Sequence, residues 1–438
     1  MKDRNSNVGP GTARTKRISR RNLLKSAAGV AGAAVGSGMI KGFPTVWAQN
    51  IKDVTLTHLG MSYSTIIDIA RQATKDLGFK VEMAVTDFPG FVNRVTTQPD
   101  SVDVADAEMS QIPLVVPRGS FQPVDPSKIK LWDKMTTIYT QGTFGGKELS
   151  REGLTPYKLQ YLANDQAKTF AKDETKWATF VCGFYNADTL GIRPDLIKRP
   201  VEHWSELFNP EFKGKAAIQD IPAIGIMDAA MAAESMGAIK YRDKGNMTRE
   251  EIDKTIAMLI DLKKKGHWRA LWSSFDESVN LMTAGEVVIQ SMWSPAVTAV
   301  RAHGTPCYYD PLQEGYRGWG NGLGLMRHLK GIKLDAAYEY INWYQSGWVG
   351  GFIAKQGYYV GVPETAKKFM TDDEWGFWYQ GKPAAADIKD PYGKVMEKAG
   401  VVRDGGSYDS RFSKIACWNT VMSEARYMNE KWNEFRTA

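Results

Sequence analysis

The feature that most constrains the fold is a regular alternation of short extended runs with amphipathic helices near the start of the chain. Val54 to His58 reads as a first strand. Tyr63 to Leu77 follows, with Ile66, Ile67, Ile69, Ala70, Ala73 and Leu77 on helical spacing, and Gly78 ends it. Lys80 to Val85 reads as a second strand, Pro89 to Thr97 as a short helix, and Val102 to Ala105 as a third strand. Strand–helix–strand order at these lengths predicts an α/β fold on a parallel sheet. Residues 141–175 break the pattern: they are polar, rich in Gly, Lys and Thr, and read as a long loop or insertion. Strand character returns from Trp177 to Tyr185, and the αβ pattern resumes at Trp204. Further helices are expected over Arg249–Lys265, Pro295–His303 and Asp335–Gly347, with a strand over Val287–Met292. A long C-terminal helix is expected from Ser413 to Phe435. The length of 438 residues suits two domains, and no internal repeat is visible.

The net charge of +7 suggests a nucleic-acid binder only until it is located. The segment through Ala48 holds nine Lys and Arg against one acid, so the body after it is close to neutral. No basic surface is implied, and no nucleic-acid partner is expected. The basic segment contains Ser19-Arg20-Arg21-Asn22-Leu23-Leu24-Lys25, then an Ala/Gly-rich stretch to Ile40. It resembles a twin-arginine export signal, with Leu23 at the usual Phe position. Val46-Trp47-Ala48 is a candidate cleavage site. The apolar stretch is too weak for a comfortable membrane span. The mature chain is therefore expected in the periplasm, beginning near residue 49.

Cys182, Cys307 and Cys417 form no C-x-x-C and no Cys/His cluster, and they read as small buried hydrophobes. No G-x-S-x-G or H-E-x-x-H occurs, and the five His are not in metal-spaced pairs. Gly318, Gly320, Gly322 and Gly324 alternate with other residues, which is not dinucleotide spacing. No cofactor, metal or catalytic residue is expected. An exported enzyme is the weaker alternative, raised by the leader alone.

Three segments carry a resemblance. The first is His203-Trp204-Ser205-Glu206-Leu207-Phe208-Asn209-Pro210-Glu211-Phe212-Lys213-Gly214-Lys215. The second is Met282-Thr283-Ala284-Gly285-Glu286-Val287, running on through Trp293 to Ala299-Val300-Arg301-Ala302. The third is Gly315-Tyr316-Arg317-Gly318-Trp319-Gly320-Asn321-Gly322-Leu323. In order and spacing they resemble the spermidine/putrescine-type periplasmic solute-binding proteins of ABC transporters. The resemblance runs from about Trp177 to Pro363. It implies a two-lobed α/β fold of the periplasmic-binding type, each lobe discontinuous in sequence, that closes on a ligand. Lobe 1 is expected over 49–182 with a return at 319–365, and lobe 2 over 183–318 with a return at 366–438. The implied partners are a small ligand and a membrane permease, with the protein acting as a monomer.

The resemblance also implies a site. Trp177, Trp293 and Trp319 match cleft-wall positions, although most of the 14 Trp must be structural. Asp220 matches an acidic position and reads either as partner of an ammonium or as a cap on its own turn. Asn321 replaces the acid that grips an amine in that family, so a compact monocation fits better than a long diamine. Asp106 is placed in the turn after the third strand. Glu108 reads as facing the cleft or capping the next helix, and Tyr63 as an aromatic wall. The expected ligand is a small organic cation, an amine or quaternary ammonium. A ferric-ion binder using Tyr308-Tyr309 or Tyr358-Tyr359 is the second reading, disfavoured because adjacent strand residues face opposite ways.

Overall fold

The structure is a computed structural model, described over residues 51–309 and 312–438. The expected leader and cleavage site lie outside the described residues.

Among the described residues, one eleven-stranded mixed sheet organises the chain. Its first part is β1 (Thr55–Met61), β2 (Lys80–Thr86) and β3 (Val104–Glu108). Two long strands follow in sequence at separate points, β4 (Val181–Ile192) and β8 (Tyr316–Met326). Between them lie β5 (Ala216–Gln219), β6 (Trp268–Trp272) and β7 (Ile289–Met292). Short strands β9 (Tyr359–Val360) and β10 (Ile415–Trp418) complete the named set, and the spatial order is β2-β1-β3-β8-β4-β7-β5-β6. β1 runs parallel to β2 and to β3, and β5 runs parallel to β6 and to β7. Each parallel group is joined by helical crossovers, as the alternation requires.

β4 and β8 are antiparallel to each other and cross between the two groups. The end of β8 pairs with β3 (Asn321–Leu325 against Val104–Glu108), while its start pairs with β10. The end of β4 pairs with β7 (Thr189–Ile192 against Ile289–Met292), while its earlier part pairs with β9. The carboxyl ends of β1 and β3 on one side, and of β5 and β7 on the other, therefore flank the crossover. Ligands bind at such places in open α/β sheets.

Several boundaries differ from expectation for local reasons. The first helix, α1 (Ile67–Leu77), begins four residues late because Ser64 and Thr65 both donate backbone N–H groups to Met61 O, closing a turn that holds Tyr63 outside the helix. β8 is an eleven-residue, wholly buried strand despite its four alternating glycines. Those glycines exist for close packing: a Cβ at Gly322 would stand 2.5 Å from Phe180, and one at Gly318 would stand 2.8 Å from Trp418. Asp106 lies within β3 and not in the turn after it. The C-terminal region is strand β10, then a turn, then helix α9 (Ala425–Thr437), not one long helix. Residues 141–175 hold a small hairpin and a five-residue helix, with bridges Val124↔Ala178 and Tyr161↔Ala178 beside them.

The helices that bear on the site are α2 (Phe88–Thr97), α3 (Pro222–Ser235), α4 (Arg249–Lys264), α5 (Phe275–Thr283), α6 (Ser294–Ala302), α7 (Gly331–Gln345) and α8 (Trp348–Ala354). Ala- and Met-rich α3 is buried along most of its length, and α9 packs Trp432 and Phe435 into the same core. Cys182, Cys307 and Cys417 are buried free thiols.

Candidate functional site

At the crossover, four aromatic rings meet in a closed circuit. Tyr63, held in the turn after β1, meets Trp319 of β8 with centroids 5.6 Å apart and an interplanar angle of 74°. Trp319 meets Tyr358, just before β9, at 6.1 Å and 81°. Tyr358 meets Phe184 of β4 at 5.4 Å and 61°, and Phe184 returns to Tyr63 at 6.1 Å and 74°. All four contacts are edge-to-face, the arrangement the ring quadrupole favours. No ring contact joins Tyr63 to Tyr358 or Phe184 to Trp319, so the four rings form a cycle and not a stack. Phe184 and Trp319 are buried at the back, while Tyr63 and Tyr358 are partly exposed.

Carboxylates surround this circuit. Burial pushes the Tyr63 phenol well above its usual range, and the charges of Glu108 and Asp106 raise it further. Burial likewise raises Tyr358, with help from Asp188. Asn321 is fully buried; its Oδ1 accepts from Tyr63 Oη–H at 3.4 Å, and its backbone carbonyl accepts from Tyr139 Oη–H at 3.2 Å. Its Nδ2 has no partner. Glu108 faces Asn321 across the strand pair. Glu108 Oε2 accepts the backbone N–H of Ser110 at 2.9 Å and the Ser110 hydroxyl, so it closes its own turn; Oε1 receives a long bond from Asn419 Nδ2 at 3.4 Å. Burial raises its pKa, and Ser110, Asn419 and Arg317 offset part of that rise.

A buried ion cluster lies below the crossover. Arg317 and Asp188 pair in register on β8 and β4, 3.7 Å apart. Arg317 Nε also donates to Asp228 of α3 at 2.7 Å, and Nη1 donates to Asn419 at 2.7 Å. Asp188 Oδ1 accepts the first N–H of α6, from Ser294, at 3.0 Å. Burial outweighs the attraction of Arg317 and pushes Asp188 up to about 6.

On the opposite side of the crossover, Trp293 is the N-cap residue of α6, with Pro295 in the first turn as expected. It meets Trp272 at 5.0 Å and 87° and lies nearly parallel to Phe275 at 6.4 Å. These rings make an apolar wall with no ring contact to the four-ring circuit.

Of the residues expected from sequence, the structure brings Tyr63, Trp319 and Asn321 into contact and sets Glu108 beside them. Trp293 belongs to the second wall. Asp220, read as partner of an ammonium or as a cap on its own turn, gives both oxygens to helix α9: Oδ1 accepts from Trp432 Nε1 at 2.7 Å, and Oδ2 pairs with Arg436 Nε at 3.1 Å. Trp177 stands beside the Val124–Ala178 bridge; its ring carries Lys176 Nζ at 5.0 Å and shares no ring contact with the other candidates. Phe184, Asp106, Asp188 and Arg317 were not among the expected site residues. Pairing of β8 with β4 on one side and with β3 on the other sets their places, and sequence spacing does not display that register. The tyrosine pairs are split as strand geometry demands: Tyr358 joins the circuit, while Tyr359 packs on Tyr185 and under Arg403. Among the described residues, no group of three or more His, Cys, Asp or Glu is placed to hold a metal.

Residues 68–347 match the family described as bacterial extracellular solute-binding protein, and the chain belongs to that family. The fold is shared with solved two-lobed binding proteins at low identity. The TpPotD lipoprotein of Treponema pallidum aligns at TM-score 0.61 and 12% identity, covering 88% of this chain and 100% of that one. The spermidine/putrescine ABC transporter substrate-binding protein PotD of Streptococcus pneumoniae aligns at TM-score 0.58 and 13% identity, covering 87% and 98%. The binding protein MotA of A. tumefaciens, solved with glucopine, aligns at TM-score 0.53 and 15% identity, covering 88% and 99%. None of the curated proteins compared with the chain matches it. Among the described residues, no helix is long and apolar enough to cross a membrane.

Proposed function

We propose that this protein captures a compact organic cation, a small amine or quaternary ammonium, outside the cytoplasm and delivers it to an ABC-type permease. The observation that carries the reading is the closed circuit of Tyr63, Phe184, Trp319 and Tyr358. A cation held among the four rings would come inside the ~6 Å range of cation–π attraction. Buried Glu108 stands beside it, and buried Asp106 lies on the same strand one layer deeper. Entry requires the partly exposed Tyr63 and Tyr358 to part. A four-ring enclosure suits one small cationic head. Asp220, with both oxygens engaged by α9, is not free to hold the second ammonium of a long diamine. Lobes divided at the β4–β8 crossover would let the Trp272/Phe275/Trp293 wall close over the bound head.

The test is a calorimetric titration panel of tetramethylammonium, choline, putrescine, spermidine and small anions. Tightest binding by a monocation is expected. Tight spermidine binding, or binding of anions alone, would overturn the reading. Export through the twin-arginine route is part of the proposal: Arg20→Lys with Arg21→Lys should hold the protein in the cytoplasm, as fractionation would report.

A further inference from the structure

Behind the circuit lies a carboxylate that nothing neutralises. Asp106 is fully buried in the middle of β3, and neither of its oxygens makes a hydrogen bond. The Ser64 hydroxyl, nearest on the loop after β1, spends its proton on Met61 O at 3.1 Å. The Asn321 amide stands between Asp106 and the circuit: its Oδ1 holds Tyr63, and its Nδ2 is unused. The titratable groups around Asp106 are His58 from β1, Tyr63 from the following loop, Glu108 on its own strand, Tyr139, Cys182 from β4, and Tyr340 and Tyr344 from α7. None of these is a Lys or Arg. His58 Nε2 comes within 3.9 Å, but its Nδ1 is bound to Tyr340 Oη at 2.7 Å and burial drives its pKa down to about 3, so it is neutral. An ionised, unpaired carboxylate in such a place is costly, and it is kept neutral by retaining its proton. Burial raises Asp106 to about 7, with only partial offset from Ser64 and Asn321.

We propose that Asp106 is the buried counter-charge of the bound cation and gives up its proton to solvent as the cation enters, so that ligand capture releases a proton. The inference rests on the cation-cage reading and adds to it. The balance is simple: protonated protein plus cation gives the ionised Asp106–cation pair plus one proton in solution. No bond to the ligand forms. Asn321 then has an anion to which its idle Nδ2–H can turn, while its Oδ1 keeps Tyr63 in place. The neutral Asn at 321 is thus suited to relaying the field of an acid one layer deeper.

The experiment uses tetramethylammonium, which cannot itself titrate. Calorimetric titrations at pH 6.0, 7.0 and 8.5, each in two buffers of different ionisation enthalpy, count protons released per cation bound. The expected release is close to one at pH 6.0 and close to none at pH 8.5, with affinity rising by up to about tenfold per pH unit below pH 7. Asp106→Asn should bind more weakly, with no pH dependence and no proton release. Cation binding without proton release in the wild type, including internal transfer to His58, would overturn the inference and leave the cage intact. Failure to bind tetramethylammonium or choline at any of the three pH values would overturn both. The wild-type buffer comparison decides the matter even if the variant folds poorly.

Discussion

The two sides of the crossover present the same architecture with opposite chemistry. On one side, β1 and β3 end beside four mutually edge-on rings and two buried acids, one of which, Asp106, has no hydrogen-bond partner. On the other, β5 and β7 end at Asp220 and Trp293; the acid is tied to α9, and the tryptophan stands with Trp272 and Phe275. Strand ends at a topological switch supply a place for a ligand on both sides. Only the first side keeps charge in reserve for one. Under the proposed function, recognition of the cation resides in the β1–β3 half, while the β5–β7 half contributes an apolar cover.

That asymmetry can be broken by substitution. Trp319→Ala removes a ring from the circuit and should weaken cation binding ~100-fold or more, since cation–π loss and a hydrated gap act together. Trp293→Ala, on the covering wall, should cost only about tenfold. Calorimetry on both variants, with circular dichroism confirming the fold, checks the order; an equal loss would show that both halves share the recognition.

Asp106→Asn also sharpens the contrast through stability. Its carboxyl is raised from the usual carboxylate value to about 7. The folded state therefore disfavours the ionised form, and stability is full below about pH 4 and declines as pH rises toward 7. The variant should melt higher than wild type at pH 8 by an amount equivalent to roughly 1 kcal/mol or more, and the gap should close at pH 4. Thermal melts across pH give the answer, and a pH-independent difference would mean that Asp106 is ionised throughout. Asp220→Asn should do the reverse: it should lose about 1 kcal/mol of stability, because a buried bond to Trp432 and the pair with Arg436 are weakened, while affinity changes less than twofold. A large loss of affinity in that variant would return Asp220 to the site.

How far the site was legible in sequence follows from the kind of signal each part carries. Helical spacing and strand length announced the α/β alternation, and the three matched segments announced the family. Tyr63 was legible because it follows the first strand, and Trp319 and Asn321 because they fall in the third matched segment. Phe184 and Asp188 were not, because β4 is an unbroken buried strand whose inward and outward positions differ only by pairing with β8. The alternating glycines of β8 showed only that the spacing is not a dinucleotide motif; their purpose emerges when Phe180 and Trp418 are seen packed on them. Asp220 misled for a related reason: its partners Trp432 and Arg436 lie more than two hundred residues away in sequence.

The most direct test of the central claim is a crystal structure of the protein with bound tetramethylammonium. The account predicts the ammonium nitrogen within ~6 Å of the ring centroids of Tyr63, Phe184, Trp319 and Tyr358 together. A cation lodged instead against Trp272, Phe275 and Trp293, with the four-ring circuit closed and empty, would contradict it.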